Sequence, residues 1–305
     1  MSRNTPCGIA IPQVFSGGVD EAAVRRFVVR AEELGFDSLW VQESIVSRID
    51  VLEPIALLSY VAALTKRVRL GVAVMLLTLR NPVQLAKSLA TLDRLSNGRV
   101  DPGIGIGGHV PEEIFGYSRD GRVRRFEEAI EVIKALWTQE RATASGRFWN
   151  FQNVAMEPKP VQPPHPPLWF GARQPPALRR TVKYGDGFMG AGSSTFDDFV
   201  MQYNLLRQYL DEAGRDPASL RISKRVYLAV DADRARAEER LREWFGSYYN
   251  RAEMASAVSV WGSPQECVDK LSRFVEAGAQ HLMLNPVFDE HAQLEVLAEE
   301  VVPHL

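Results

Sequence analysis

The sequence predicts an α/β protein of the (β/α)8 TIM-barrel class, folded as a single domain over residues 1–305. Short apolar runs alternate with stretches of helical period along almost the whole chain, with no run of strands alone and no run of helices alone. Eight strand–helix units can be marked out, the number that closes a barrel of roughly 250 residues plus insertions. Parallel strands need a crossover to return to the same end, so this alternation demands a parallel sheet. A doubly wound open sheet is the competitor. Its fingerprint is missing: the first βα turn, Pro12 to Gly18, holds one glycine pair and no G-x-G-x-x-G.

Gly8 to Pro12 is the first strand. Beyond Gly17-Gly18, residues Val24, Phe27, Val28, Ala31 and Leu34 recur at three- and four-residue spacing and form one apolar helix face, with Gly35 placed as a C-cap. Asp37 to Gln42 is the second strand, and helical period returns from about Glu53 to Leu64. Arg67 to Met75 is β-rich; Leu85, Leu89 and Leu92 then mark a helix stopped by Asn97-Gly98. Arg99 to Ile106 is the fourth strand. Pro102 removes a ladder donor from it, so regular pairing is expected only from about Gly103. A helix over Arg122 to Trp137 follows.

The later units are strand Leu168 to Gly171 with helix Pro175 to Lys183, and strand Gly187 to Met189 with helix Phe196 to Ala213. Strand Leu220 to Val230 precedes a charged helical region from Ala232 to about Tyr249 and a helix from Pro264 to Ala277. Strand His281 to Asn285 and a helix from Leu294 to Val302 close the pattern. Between Arg141 and Pro167 the rhythm breaks. Gly146 separates two β-prone pieces, and six prolines follow from Pro158 to Pro167, so this is an insertion running over the surface. A solvated excursion and a lid or substrate wall are both open readings of it.

Charge narrows the function classes. The 36 Lys and Arg against 38 Asp and Glu leave a net charge of −2, which gives no support to a nucleic-acid footprint or a polybasic membrane patch. Cys7 and Cys267 cannot form a CxxC site or a disulfide framework, which fits a reducing cytosol. No apolar run reaches the roughly 18 residues of a membrane span, and the first residues lack a signal-peptide layout. The strand ends carry no His-x-His or clustered carboxylates, so no metal is expected. A cytoplasmic enzyme acting on a small molecule is the expectation. In a barrel, chemistry sits at the C-terminal strand ends. That rule nominates Pro12-Gln13, Gln42-Glu43-Ser44, Val74-Met75, Gly107-Gly108-His109, Gly171-Ala172-Arg173, Gly190 to Ser194, and Asn285.

Several segments spread over nearly the whole chain stand out together: Ala31 to Val41 (AEELGFDSLWV) followed by Glu43, Thr65 to Gly71 (TKRVRLG), Arg80-Asn81-Pro82, and Ala90 to Arg99 (ATLDRLSNGR). The glycines Gly103, Gly105 and Gly107, then Pro158-Lys159-Pro160, Gly171, Gly185 to Phe188 (GDGF), Gly262 to Glu266 (GSPQE) and Glu276-Ala277-Gly278, follow. In this order they resemble the bacterial luciferase-like monooxygenase family, and specifically its coenzyme F420-dependent branch.

The resemblance implies reduced FMN or the deazaflavin F420 at the barrel mouth, with a cis, non-proline Ala73–Val74 bond supporting its ring. The residues it nominates for cofactor binding are Ser44, Ala73, Val74, Met75, Gly107, Gly108, Gly171, Ala172, Arg173 and Gln174. Phosphate would meet free N–H groups at the helix start near Pro175, aided by the Arg173 fork. Glycines from Gly105 to Gly108 would let backbone approach closely. A homodimer is also implied.

The sequence departs from the family where Glu43 is followed by Ser44 instead of histidine. A neutral hydroxyl is a poor acid or base at pH 7, so His109 becomes the replacement candidate for proton transfer, with Glu43 holding the local hydrogen bonds. In the sugar-phosphate dehydrogenase branch an acid stands near the position of Gly108. His165 and His281 read as structural, His291 and His304 as solvated, and Glu112 and Glu113 as water-facing. The leading expectation is F420-dependent hydride transfer to or from a small organic substrate. The alternatives are an FMN-dependent monooxygenase using O2 and a non-catalytic flavin-binding protein.

Overall fold

A computed structural model describes residues 5–15, 17–107 and 110–305, so the nominated Gly108 and His109 lie outside the described residues. The chain divides into two units. The first comprises Met1–Pro12, Val19–Trp40 and Gly171–Leu305, the second Gln13–Gly18 and Val41–Phe170. Each is built from parallel strands alternating with helices, as the periodicity requires. Among the described residues no helix is long and apolar enough to cross a membrane.

In the first unit the strands lie in the order Gly187–Gly190, Arg221–Val230, His281–Pro286, Cys7–Ala10, Ser38–Val41, all parallel. The ten-residue Arg221–Val230 spans the unit: Lys224 lies level with Gly190 on one side and Leu282 on the other. Its far end pairs with Val260–Gly262, a short strand that the sequence pattern did not reveal. Three residues are too few to show a period of two. At the strand starts a polar plug replaces apolar packing. His281 is buried between Ser38 Oγ at 3.0 Å and Ser223 Oγ at 2.7 Å, and Trp40 Nε1 donates to Ser38 Oγ at 2.8 Å. Gly8 is required there, because a Cβ would collide with Ser38 and the Trp40 ring. His281 is structural, as expected.

In the second unit Arg69–Val72 pairs with Val100–Asp101, while Met75–Leu76 and Trp169–Phe170 flank Gly103–Gly105. Pairing therefore starts at Val100, earlier than expected. Pro102 marks a change of partner instead, so its missing N–H falls between two ladders. Two other buried polar side chains organise this unit. Arg99 donates to the carbonyls of Ala62, Thr65, Val68 and Ser96 at 2.7–3.0 Å, closing the C-terminal end of the helix Pro54–Leu64 where carbonyls lack helical partners. Asp93 accepts from Val161 N–H at 2.7 Å, Gln162 N–H at 3.1 Å and Gln162 Nε2 at 2.8 Å. That contact pins the proline-rich stretch, in which Glu157–Pro158 and Pro163–Pro164 are cis. The first part of the insertion is an antiparallel hairpin, Ala142–Ser145 with Asn150–Val154. Its tip is tied to the helix Arg122–Thr138, where Glu128 accepts from the backbone of Arg147 and Phe148.

The tightest constraint in this unit is Gly103. A Cβ there would fall on the Val72 carbonyl oxygen, which is backbone and cannot rotate away. Gly103→Ala should therefore lower unfolding stability by at least the about 1–3 kcal/mol of ordinary overpacking. Gly17→Ala, where no atom stands within 4 Å of the added carbon, should change it by less than about 0.5 kcal/mol. Urea midpoints of the two variants check this; equal midpoints would refute it.

Candidate active site

In the second unit, Leu76, Arg80 and, through Arg80, Glu53 gather around one carboxylate. Glu43 follows the strand Ser38–Val41, and its side chain is fully buried. One oxygen accepts from the Leu76 N–H and the other from Arg80, which donates through Nε at 2.7 Å. Arg80 also reaches Glu53 at 2.8 Å, and Glu53 caps the helix Pro54–Leu64 by accepting from Ala56 N–H at 2.7 Å. Burial pushes the Glu43 carboxyl up from the ordinary range, while the Arg80 charge and the Leu76 N–H pull it back. With both oxygens engaged, Glu43 is a fixed anchor for the segment it holds.

That segment contains the cis Ala73–Val74 bond, as the resemblance implied. Ala73 and Met75 are buried, and Met75 lies level with Ile104. Leu76 lies against Gly107, which has φ +72° and could not carry a side chain without meeting the leucine. Thr78 Oγ1 donates to Ile106 O at 2.8 Å, and Arg122 donates to Ile106 O and Gly107 O at 3.1 and 2.8 Å. Arg122 is held in turn by Glu112, 3.1 Å away, which also binds Arg125. Glu112 is thus buried between two guanidinium groups, contrary to the water-facing expectation. Glu113 is exposed, and Ser44 makes no hydrogen bond among the described residues. Gln13 is a further stitch that sequence reasoning nominated without a role. It donates to Gln42 O and Leu52 O at 2.7 and 2.6 Å.

In the first unit, the turn Gly171-Ala172-Arg173-Gln174 leads into the helix Pro175–Tyr184. The expected row of free N–H groups is shorter than supposed, because the first two helical residues are Pro175 and Pro176 and have no N–H. The next donor, Ala177 N–H, bonds Gln174 O at 2.8 Å. The first turn carries no acidic residue, and the N-cap Gln174 makes no side-chain cap. What remains for an anion is Arg173. Its guanidinium is exposed, donates to Ser193 Oγ, and has no carboxylate partner among the described residues.

Ser193 belongs to the loop after the strand Gly187–Gly190. Below that loop lies Lys224, entirely buried, donating to Ala191 O at 2.5 Å and Ser194 O at 3.1 Å. Burial, with the charges of Arg173 and Arg225 nearby, brings its ammonium down to about 7. Arg225 donates to Asn285 Oδ1 at 2.9 Å and stacks on Tyr227, whose hydroxyl meets Tyr249 at 2.6 Å. Of this group, Asn285 and the loop had been nominated from sequence; Lys224, Arg225 and Tyr227 had not. Mid-strand charge reads as a solvated face until its partners are known. Phe188 is wholly core, and Phe288 lies under the Arg240 guanidinium at 3.8 Å.

The Glu43–Arg80 pair makes a sharp prediction. Arg80→Ala leaves a carboxylate out of water without its charged partner, which typically destabilises by about 3–5 kcal/mol. An acid whose folded pKa is raised destabilises only above its unfolded value, and not where both states are protonated. The gap to wild type should thus be larger at pH 7 and shrink as pH falls toward 4. Urea unfolding at both pH values measures it. A gap independent of pH would mean that Arg80 contributes packing alone.

The sequence profile of the luciferase-like monooxygenase family matches residues 6–281. An F420-dependent glucose-6-phosphate dehydrogenase of Kineococcus radiotolerans is 31% identical over 312 residues, spanning 92% of this chain and 91% of that protein. An F420-dependent secondary alcohol dehydrogenase, solved with an F420–acetone adduct, superimposes with a TM-score of 0.86 and 21% identity over 99% of both chains. A monooxygenase from Streptomyces bottropensis does so with a TM-score of 0.79 and 27% identity, over 98% of this chain and 99% of that one. The fold is shared with both structures. Matched over most of its length, the chain belongs to the luciferase-like monooxygenase family.

Proposed function

We propose that this chain is a coenzyme F420-dependent oxidoreductase that moves a hydride to or from a carbon of a small alcohol or carbonyl compound. The observation that carries this reading is the end-to-end similarity to a relative named for F420. The exposed Arg173, without a carboxylate partner among the described residues, fits a cofactor phosphate. We further propose the (β/α)8 barrel class expected from the eight strand–helix units. The whole-chain superposition on the alcohol dehydrogenase supports that fold class. A cytoplasmic setting is supported by two buried cysteines that form no disulfide.

When bound, a deazaflavin supplies the carbon that exchanges hydride with substrate, and position and electrostatics come from the protein. Arg173 and Ser193 would hold the phosphate. Glu43, through Leu76 N–H, would fix the Ala73–Met75 segment proposed to support the ring, and the backbone at Gly107 could approach it without a side chain between. The Ser44 hydroxyl, which makes no hydrogen bond among the described residues, could orient a substrate oxygen. His109, two residues beyond Gly107, is proposed to exchange the proton that accompanies the hydride. Gly108 stands where the sugar-phosphate branch has an acid, so a neutral alcohol or ketone is the better substrate class than a sugar phosphate. The monooxygenase reading is kept as second choice because a monooxygenase superimposes over nearly the whole chain.

Titration with F420 and with FMN separates the two cofactors. F420 should bind at micromolar concentration or tighter and FMN more weakly; tight FMN with no F420 binding would overturn the proposal. Arg173→Ala should weaken F420 about 10- to 150-fold, the range for one lost charge-assisted hydrogen bond, with an unchanged melting temperature.

Once a substrate is found, His109→Gln should lower kcat by about 10²–10⁴-fold with little change in cofactor affinity. A kcat within about twofold of wild type would return His109 to a wall residue.

A further inference from the structure

The loop between the strand Gly187–Gly190 and the helix Phe196–Glu212 is fixed from three directions. Downstream, Thr195 caps the helix reciprocally with Asp198, in a box with distances of 3.1 and 2.9 Å. On one side the Tyr227 ring and Arg225 close on Gly192, where a Cβ would not fit. From beneath, the Lys224 ammonium binds the carbonyls of Ala191 and Ser194, the two residues that flank Gly192-Ser193. Its stem runs past Gly190, and its nitrogen lies 5.5 Å from the centre of the Phe274 ring.

A buried ammonium with no carboxylate at ion-pair distance among the described residues, Asp198 acting on it only from further off, is an expensive way to satisfy two carbonyls, since its desolvation exceeds what neutral donors would suffer. What the lysine achieves is reach and a fork: one group grips both ends of a dipeptide. The dipeptide matters because Ser193 Oγ is the partner through which the exposed Arg173 side chain is held. The double proline at the next helix removes the backbone donors that would otherwise form an anion site, so the position of Arg173 carries more of that task.

We propose that Lys224 is a positioning residue for anion binding: by clamping Ala191 and Ser194 it places Ser193 Oγ, and through it the Arg173 guanidinium, against the cofactor phosphate. This rests on the reading of Arg173 given above. Lys224 itself touches no ligand.

The test compares Lys224→Met, Arg173→Ala and the double variant, reading F420 dissociation constants by cofactor fluorescence and melting temperatures in parallel. Lys224→Met should weaken F420 about 5- to 30-fold in the native background and by less than about twofold when Arg173 is already alanine. Equal weakening in both backgrounds would overturn the proposal, since the lysine would then act on the fold at large. So would native affinity in Lys224→Met while Arg173→Ala is impaired. An Arg173→Ala variant of native affinity would instead sink the phosphate reading, and the inference with it. If FMN is the cofactor that binds, the same comparison applies with FMN. Should Lys224→Met fail to fold, Ser193→Ala tests the link without touching the core. It should reproduce most of the loss at unchanged melting temperature, and native affinity there would overturn the chain of contacts.

Discussion

Charge taken out of water, and the backbone groups that answer it, set where the strand ends and loops of both units lie. An ion buried without partners is intolerable, so each buried charge demands a matching set of dipoles at a fixed distance. Glu43 claims the Leu76 N–H, Arg99 claims four carbonyls, those of Ala62 and Thr65 at one helix end among them, Asp93 claims the N–H groups of Val161 and Gln162, and Lys224 claims two carbonyls beyond Gly190. The groups claimed lie at a helix end, in a short strand or in loop backbone. Apolar burial brings the elements together without direction. These ions supply the direction, and they do so mostly where strands end.

The two ends of the first unit's sheet are therefore chemically different. At the strand starts His281, Ser38, Ser223 and Trp40 satisfy one another, and the glycine at position 8 lets the indole lie flat across its neighbour. That end is knit by side-chain hydrogen bonds around an imidazole, with the Asp37 carboxylate 3.7 Å from it. At the other end Arg173 and Lys224 gather positive charge with no carboxylate at ion-pair distance among the described residues, and the Arg225 guanidinium lies beside them. The asymmetry agrees with the placement of chemistry at C-terminal strand ends in parallel α/β proteins.

How much of this was legible in the sequence depends on range. Periodicity is local, so the alternation of strands and helices, the apolar helix faces and the insertion at 141–167 could all be marked from residues near one another. The cis Ala73–Val74 bond was reachable only through resemblance, since nothing in the dipeptide itself asks for it. Glu112 and Lys224 were misjudged or passed over for one reason: a long charged side chain reads as solvated until the chain folds its partners around it. Glu112 meets Arg125 and Arg122 from the following helix, and Lys224 meets a loop thirty-odd residues upstream. The double proline at Pro175-Pro176 is the opposite case. Its meaning was present in the sequence, because a ring nitrogen donates to nothing, and a helix start should be counted donor by donor before it is assigned to a phosphate.

The hairpin insertion has a consequence for how this fold can vary. It is fastened at its tip by Glu128 and after its last strand by Asp93, and both anchors sit on helices of the second unit. Chain between two such fasteners can lengthen at little thermodynamic penalty, because the entropy of closing a loop grows only with the logarithm of its length, about 0.6 kcal/mol per doubling. The sheet does not register the change, since none of its ladders runs through the segment. Relatives could gain or lose residues here while the strands on either side keep their partners, making this stretch a natural place for length divergence.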